Sequence, residues 1–168
     1  MISEANWALI DSVHGWMSRP ECEWIAETAA RMDSWTEVGV NCGRSALCAG
    51  LHLRPEGWLC LVDSRFPWPF VETWRLLRGH RPDLRIVIAE CDSLVAAKHL
   101  PYTEAVFVDG DHSRAAVEAD IAAWRPKCRL LCGHDYGPSD QWPGVIEAVD
   151  AALGAVDNPI HSIWVARG

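Results

Sequence analysis

The sequence has no block of lysine or arginine, no CxxC cysteine pair, no linker rich in Ser, Gly or Pro, and no unbroken apolar run long enough to span a bilayer. Each absence excludes something. With 15 Lys and Arg against 23 Asp and Glu the net charge is −8, so nucleic-acid binding through a phosphate-neutralising face is not expected. No membrane crossing is expected either. The opening MISEANWALIDSVHGW is interrupted by Glu4 and Asp11 and is not a signal-peptide pattern, so the chain reads as soluble and cytoplasmic. Seven cysteines, an odd number, read as reduced and mostly buried. Cys128 and Cys132, if on a strand, stand about 13 Å apart, too far for one tetrahedral zinc ion. No internal repeat divides the 168 residues, which predicts one domain: N-terminal helices over 1–33 and a core over 34–168.

What is present is an ordinary globular balance, 49% apolar and 23% charged, with ten tryptophans. Trp7, Trp24, Trp74 and Trp124 fall in helical patterns and read as packing residues. Trp68 and Trp142 stand beside prolines in loops, where each is a candidate pocket wall. Helices are predicted over 3–17 and 20–32, the second opened by Pro20. Strands are predicted at 34–40, 58–63, 84–90, 104–109, 128–135 and near the end of the chain in HSIWVAR. Helices at 43–53, 70–80, 93–98, 113–124 and 144–153 alternate with them, and Ser113 is an N-cap candidate. Near-continuous apolar strands alternating with helices predict an α/β fold: a Rossmann-like, doubly wound, mostly parallel sheet with helices on both faces. Right-handed crossovers bring every parallel strand end to one edge, where ligands bind.

The strand ends are polar. The first runs Glu37-Val-Gly39-Val-Asn41-Cys-Gly43-Arg-Ser45 into a helix, a turn whose small residues let a ligand approach backbone N–H groups. Later ends carry Asp63-Ser64, Glu90-Cys91-Asp92-Ser93, Asp109-Gly110-Asp111-His112 and Gly133-His134-Asp135-Tyr136. Ser and Asp also cap helices, and that reading stands beside the functional one for each. Asp63 follows Gly43 by about the spacing of a ribose-binding carboxylate. A nicotinamide dinucleotide would also need G-x-G-x-x-G for its pyrophosphate, whereas this loop is E-x-G-x-N-x-G. An acidic, cation-poor loop suits a cofactor without phosphates, such as adenosine joined to an amino acid.

These motifs resemble the class I S-adenosylmethionine-dependent methyltransferases. VFVDGDHSRAAVEADIAAW followed by LLCGHDYG, the HGWMSRPECEWIAETAARM segment and the closing IWVARG are similar to the small-molecule O-methyltransferase-like group called methyltransferase domain 24. The resemblance implies that fold, with its last strand antiparallel, and S-adenosyl-L-methionine as cofactor. It implies that Glu37, Gly39, Asn41 and Gly43 lie beside the methionine part, with Ser45 opening the helix. It implies Asp63 on the ribose hydroxyls, Ser64 near the adenosine, and Asp92 and Ser93 at the adenine edge, Asp92 accepting from the amino group. Asp109 would face the sulfonium side, next to the acceptor, and Gly110 and His112 would be further cofactor-binding residues.

Methyl transfer to oxygen needs the acceptor proton removed, by a base or by a metal. Metal-dependent relatives hold magnesium through oxygen ligands at positions matching Asp109, His134 and Asp135. An imidazole at 134 favours manganese, iron or zinc over magnesium. The rival reading makes His134 or His112, with Asp109, the catalytic base, and a third makes a histidine a loop anchor. The expected activity is methylation of a small hydroxylated acceptor, a sugar or an aromatic ring. A non-catalytic cofactor-binding or assembly module, an NAD(P)-dependent oxidoreductase and a related hydroxylation are the alternatives. A homodimer that completes the pocket is a further expectation.

Overall fold

The computed structural model describes residues 1–137 and 141–166. Two helices, α1 (Glu4–Ser12) and α2 (Arg19–Ala29), precede β1 (Ser34–Val38), α3 (Arg44–His52), β2 (Trp58–Asp63), α4 (Phe70–His80) and β3 (Arg85–Glu90). The second half runs α5 (Ser93–His99), β4 (Thr103–Val108), α6 (Arg114–Trp124), one 3₁₀ turn (Arg125–Lys127), β5 (Cys128–Gly133), α7 (Pro143–Leu153), β6 (Val156–Ile160) and β7 (Ile163–Ala166). The strands form one sheet ordered β3-β2-β1-β4-β5-β7-β6. β1 to β5 are parallel, and β7 enters antiparallel between β5 and β6. This is the doubly wound α/β sheet that the alternation predicted, with the order reversing between β1 and β4.

Side-chain alternation on the strands sorts the helices. Trp35, Leu59, Leu61, Phe107 and Cys132 face the layer made by α1 to α4. Val38, Val62, Val106, Val108 and Leu131 face α5, α6 and α7, where Val117, Ile121 and Trp124 supply one buried stripe of α6. Three tryptophans, 35, 124 and 164, are fully buried. Trp7, Trp24 and Trp74 are half-buried against the first cluster.

Several boundaries differ from the sequence reading, each for a local reason. α1 ends at Ser12 rather than 17 because Val13 is extended. β1 ends at Val38 because Gly39 takes φ +85°, turning the chain off the strand. β6 escaped the pattern because VDNPI carries Asp, Asn and Pro; as the last strand of the sheet it can carry a proline that a central strand could not. Ser113 holds the N-cap position of α6 but its hydroxyl caps nothing; its amide instead donates to Asp111 Oδ1 at 2.7 Å. Arg167, the end of the predicted closing strand, lies outside the described residues.

Strand register brings the polar ends level. Val38 pairs with Val62 on one side and Val108 on the other, Val62 with Ala89, and Val108 with Gly133. The next residue on each strand, Gly39, Asp63, Glu90, Asp109 and His134, therefore stands in one row along the edge.

Candidate functional site

A cleft of about 960 Å³ opens along that row. Its floor is the turn after β1. Gly39 is required there because a Cβ would collide with the Asp109 carbonyl oxygen. Asn41 (φ +49°) and Gly43 (φ +87°) continue the left-handed path, and Gly43 starts α3. From α4, the buried Thr73 hydroxyl donates to the Cys42 carbonyl at 2.6 Å, and its methyl lies 2.7 Å from any Cβ added at Gly43. The free N–H groups of the first turn of α3 thus open into the cleft, a favourable seat for a carboxylate.

Of the residues singled out from sequence, Gly39, Asn41, Gly43, Ser45, Asp63, Ser64, Asp92, Ser93, Asp109, Gly110, His112, His134 and Asp135 all line this cleft. Glu37 does not. It is wholly buried beneath the turn, with Oε1 accepting from the Ser45 hydroxyl at 2.7 Å and Oε2 lacking a hydrogen bond among the described residues. Burial, reinforced by the Asp109 and Asp63 charges, pushes its carboxyl up to about 8. It points at β1's core face, as a residue two along from Trp35 must, and props Ser45 at the start of α3.

Two carboxylates already have structural duties. Asp63 Oδ2 accepts from the amides of Val40 and Asn41 at 2.8 and 2.9 Å, and Oδ1 from that of Arg65 at 3.0 Å. Asp92 is the N-cap of α5, its Oδ1 accepting from Leu94 and Val95. Both retain acceptor capacity toward the cleft, since each carboxylate offers about four lone-pair sites.

At the other end, β4 and β5 bring Asp109, His112, His134 and Asp135 together. His112 Nε2 lies 2.8 Å from Asp135 Oδ2 and 3.9 Å from Asp109 Oδ1. His134 Nδ1 lies 3.3 Å from Asp135 Oδ1 and 3.7 Å from Asp109 Oδ1. Asp135 reaches between the two rings from a left-handed backbone, φ +63°, strain of the kind found at sites. The Asp109 and Asp135 carboxylates, outweighing burial, push His112 up to about 9. Burial opposes the charge on His134, yet Asp109, Asp135 and Glu21 overcome it and hold the ring far above an ordinary imidazole. Both shifts favour the protonated ring at neutral pH. Burial likewise works against the charge on Asp135, but the two imidazoles outweigh it and lower its carboxyl.

Asp109, His134 and Asp135 each offer a ligand atom, all within 4.8 Å of one another. The residue that sequence reasoning missed is Glu21. It is buried on α2, and accepts from His134 Nε2 at 3.1 Å, from the Ser162 amide at 3.3 Å and from the Ser18 amide at 2.8 Å. Its readable signal is the capping box Ser18-x-x-Glu21; nothing local says that the same carboxylate reaches β5. Trp142 stacks on His112 with centroids 4.3 Å apart and lines the cleft. Trp68 is 84% exposed and is no wall of it. Trp16, in the loop between α1 and α2, lines the mouth and is 78% exposed.

A family model described as a methyltransferase domain matches residues 36–136, from β1 through the end of β5. Among solved structures, the chain is similar to an S-adenosylhomocysteine-bound methyltransferase from Podospora anserina: 12% identity, TM-score 0.69, covering 98% of this chain and 87% of that one. It is similar to an O-methyltransferase from Bacillus cereus in complex with S-adenosylhomocysteine, at 10% identity and TM-score 0.69, covering 98% and 91%. A third is the O-methyltransferase TomG from Streptomyces achromogenes, involved in tomaymycin synthesis and bound to S-adenosylmethionine, at 13% identity and TM-score 0.67, covering 98% and 89%. At these identities the likeness is one of fold. No curated protein sequence matches the chain.

Proposed function

The chain belongs to the methyltransferase-domain family, and from that membership we propose that it transfers the methyl group of S-adenosylmethionine to a hydroxyl oxygen of a small acceptor, a sugar or an aromatic ring. The observation that carries the reading is the single cleft shared by Gly39, Asp63, Asp109 and His134 at one edge of the sheet. One half of it suits an adenosyl amino acid. The first turn of α3 offers amides to a carboxylate, and Asp63 offers an acceptor to hydroxyl groups. The cation on that turn, Arg44, is already bonded to the carbonyls of Ile10, Val13 and Met17 and to Asp11. Among the described residues lining the cleft, a pyrophosphate would therefore meet carboxylates and no free arginine or lysine, which disfavours a dinucleotide.

The other half, with Glu21, Asp109, His112, His134, Asp135 and Trp142, suits the acceptor. The donor set of Asp109, His134 and Asp135 fits a divalent cation of the manganese type better than magnesium, because one donor is an imidazole. Such an ion, when bound, lowers the pKa of a coordinated hydroxyl. Glu21 would then act on His134 from behind: by accepting the Nε2 proton it fixes the tautomer whose Nδ1 faces Asp109 and Asp135. His112 Nε2 donates to the second Asp135 oxygen and holds that carboxylate in place. Trp142 and the exposed Trp16 offer flat apolar faces to an acceptor ring.

Isothermal titration with S-adenosylhomocysteine tests the cofactor half. Purified protein is expected to bind it, and Asp63→Ala to weaken binding by about tenfold or more, since that change loosens the turn as well as removing an acceptor. Absence of binding by the wild-type chain would defeat the proposal.

A further inference from the structure

The cofactor half of the cleft holds a buried carboxylate to which neither the family pattern nor the proposed chemistry gives a task. Asp120, on the inner face of α6, is 5% exposed and still lines the cleft. Its Oδ1 accepts a short hydrogen bond from the Ser93 hydroxyl at the start of α5. Its Oδ2 lies 3.8 Å from the position a Cβ on Gly110 would take, beside the end of β4. Among the described residues nothing donates to that oxygen. Burial, with the charges of its neighbours Asp92 and Asp111, raises its pKa. A carboxylate oxygen in the wall of a cleft can accept a hydrogen bond from a group bound there.

The surroundings limit what that donor is. Ala116 and Ala119, on the same helix, line the cleft beside Asp120, as do Cys91 and Leu94. Small and apolar side chains leave a slot for a flat ring. Among the described residues no arginine or lysine pairs with Asp120, so it is not half of an ion pair. Asp92, the acidic residue that the family resemblance nominates for the adenine amino group, is exposed and gives its Oδ1 to capping α5, whereas Asp120 is buried.

We propose that Asp120, held by Ser93, is the residue that accepts the exocyclic amino group of the adenine ring and so gives the site its preference for adenine over 6-oxopurines. A 6-oxo ring would turn its own acceptor toward the buried carboxylate, leaving two acceptors opposed and the pocket's hydrogen bond unmade. Sites that read an amino group through a buried partner discriminate strongly for this reason. The assignment rests on the proposed use of S-adenosylmethionine, and its test separates the two.

The experiment titrates S-adenosylhomocysteine and S-inosylhomocysteine, its 6-oxo counterpart, into wild type, Asp120→Asn, Asp120→Ser and Asp92→Asn. Wild type is expected to favour the adenine compound by about 10- to 100-fold. Asp120→Asn keeps an acceptor for Ser93 but can turn an amide N–H₂ toward the ring, so the preference is expected to shrink to about threefold or reverse. Asp120→Ser, which shortens the side chain, is expected to lose it too. Asp92→Asn retains the cap, since Asn serves there as well as Asp, and is expected to keep the preference. If both Asp120 variants bind the cofactor product and still discriminate as wild type does, or if Asp92→Asn alone abolishes discrimination, the Asp120 assignment is wrong. If wild type binds neither compound, the cofactor reading itself falls.

Discussion

Glu37 shows how one side chain can serve a site without entering it. Its carboxyl is raised to about 8 mainly by burial, so folding favours the protonated form. The stability this contributes is complete below the unfolded-state pKa near 4.5 and is lost as pH rises through about 8. Glu37→Gln mimics the protonated acid and keeps an acceptor for Ser45. The variant is expected to be more stable than wild type at pH 8 by about a few kcal/mol and to show a flatter stability profile from about pH 5 to 8. Urea unfolding at several pH values checks it; parallel profiles would contradict the account. His134 gives a second prediction of this kind. Because Asp109, Asp135 and Glu21 hold its proton well above neutrality, a metal ion must displace that proton. Apparent Mn²⁺ affinity is expected to rise about tenfold per pH unit from about 6 to 8, and Asp135→Ala to abolish binding. A pH-independent affinity would mean His134 is not a ligand. Residue types at the strand ends were legible in the sequence, because carboxylates and imidazoles are rare just where apolar strands stop. The roles of Glu37 and Glu21 were not, since each depends on which face or which distant strand its carboxylate meets.

Among the elements, α3 joins the cofactor turn to the N-terminal layer. Arg44, its first residue, reaches back to the carbonyls of Ile10, Val13 and Met17 and to Asp11, with only 13% of its side chain exposed. Those carbonyls close the end of α1 and the loop carrying Trp16. Lysine has one point of attachment where arginine has a fork. Arg44→Lys is therefore expected to cost about 2–4 kcal/mol and to expose the loop at 13–17 to limited proteolysis, with Arg44→Ala no milder. Unchanged stability and unchanged cleavage in both would remove the clamp. The helices themselves were readable from periodicity to within a residue or two from α3 onward. β6 was not readable, because tolerance of Pro159 depends on the strand lying at the sheet's edge, which is a property of the sheet and not of the segment.

At the scale of the whole molecule, the two N-terminal helices are part of the core. Ile10, Cys22, Ile25, Ala26 and Met32 share one buried cluster with Trp35, Leu47 and Leu59. Glu21 ties α2 to β5 and, through the Ser162 amide, to the turn between β6 and β7. Deleting residues 1–32 is expected to remove cooperative thermal unfolding, because it strips one face of the central strands and leaves His134 without Glu21. A truncated chain that still melted cooperatively would show the helices to be an attachment. Among the described residues no helix is long and apolar enough to cross a membrane.

The sequence by itself determined the alternation of strands and helices, the glycine-bearing turn after β1 and the polar residues that end each strand. Those are local matters, settled by periodicity, turn chemistry and chain direction. Only the tertiary structure decided that these ends stand level in one row, that Glu37 lies beneath the cleft while Glu21 enters it, and that two histidines share their protons with the same carboxylates. Register, face and approach between distant segments arise from packing the whole sheet, and no short stretch of chain encodes them alone.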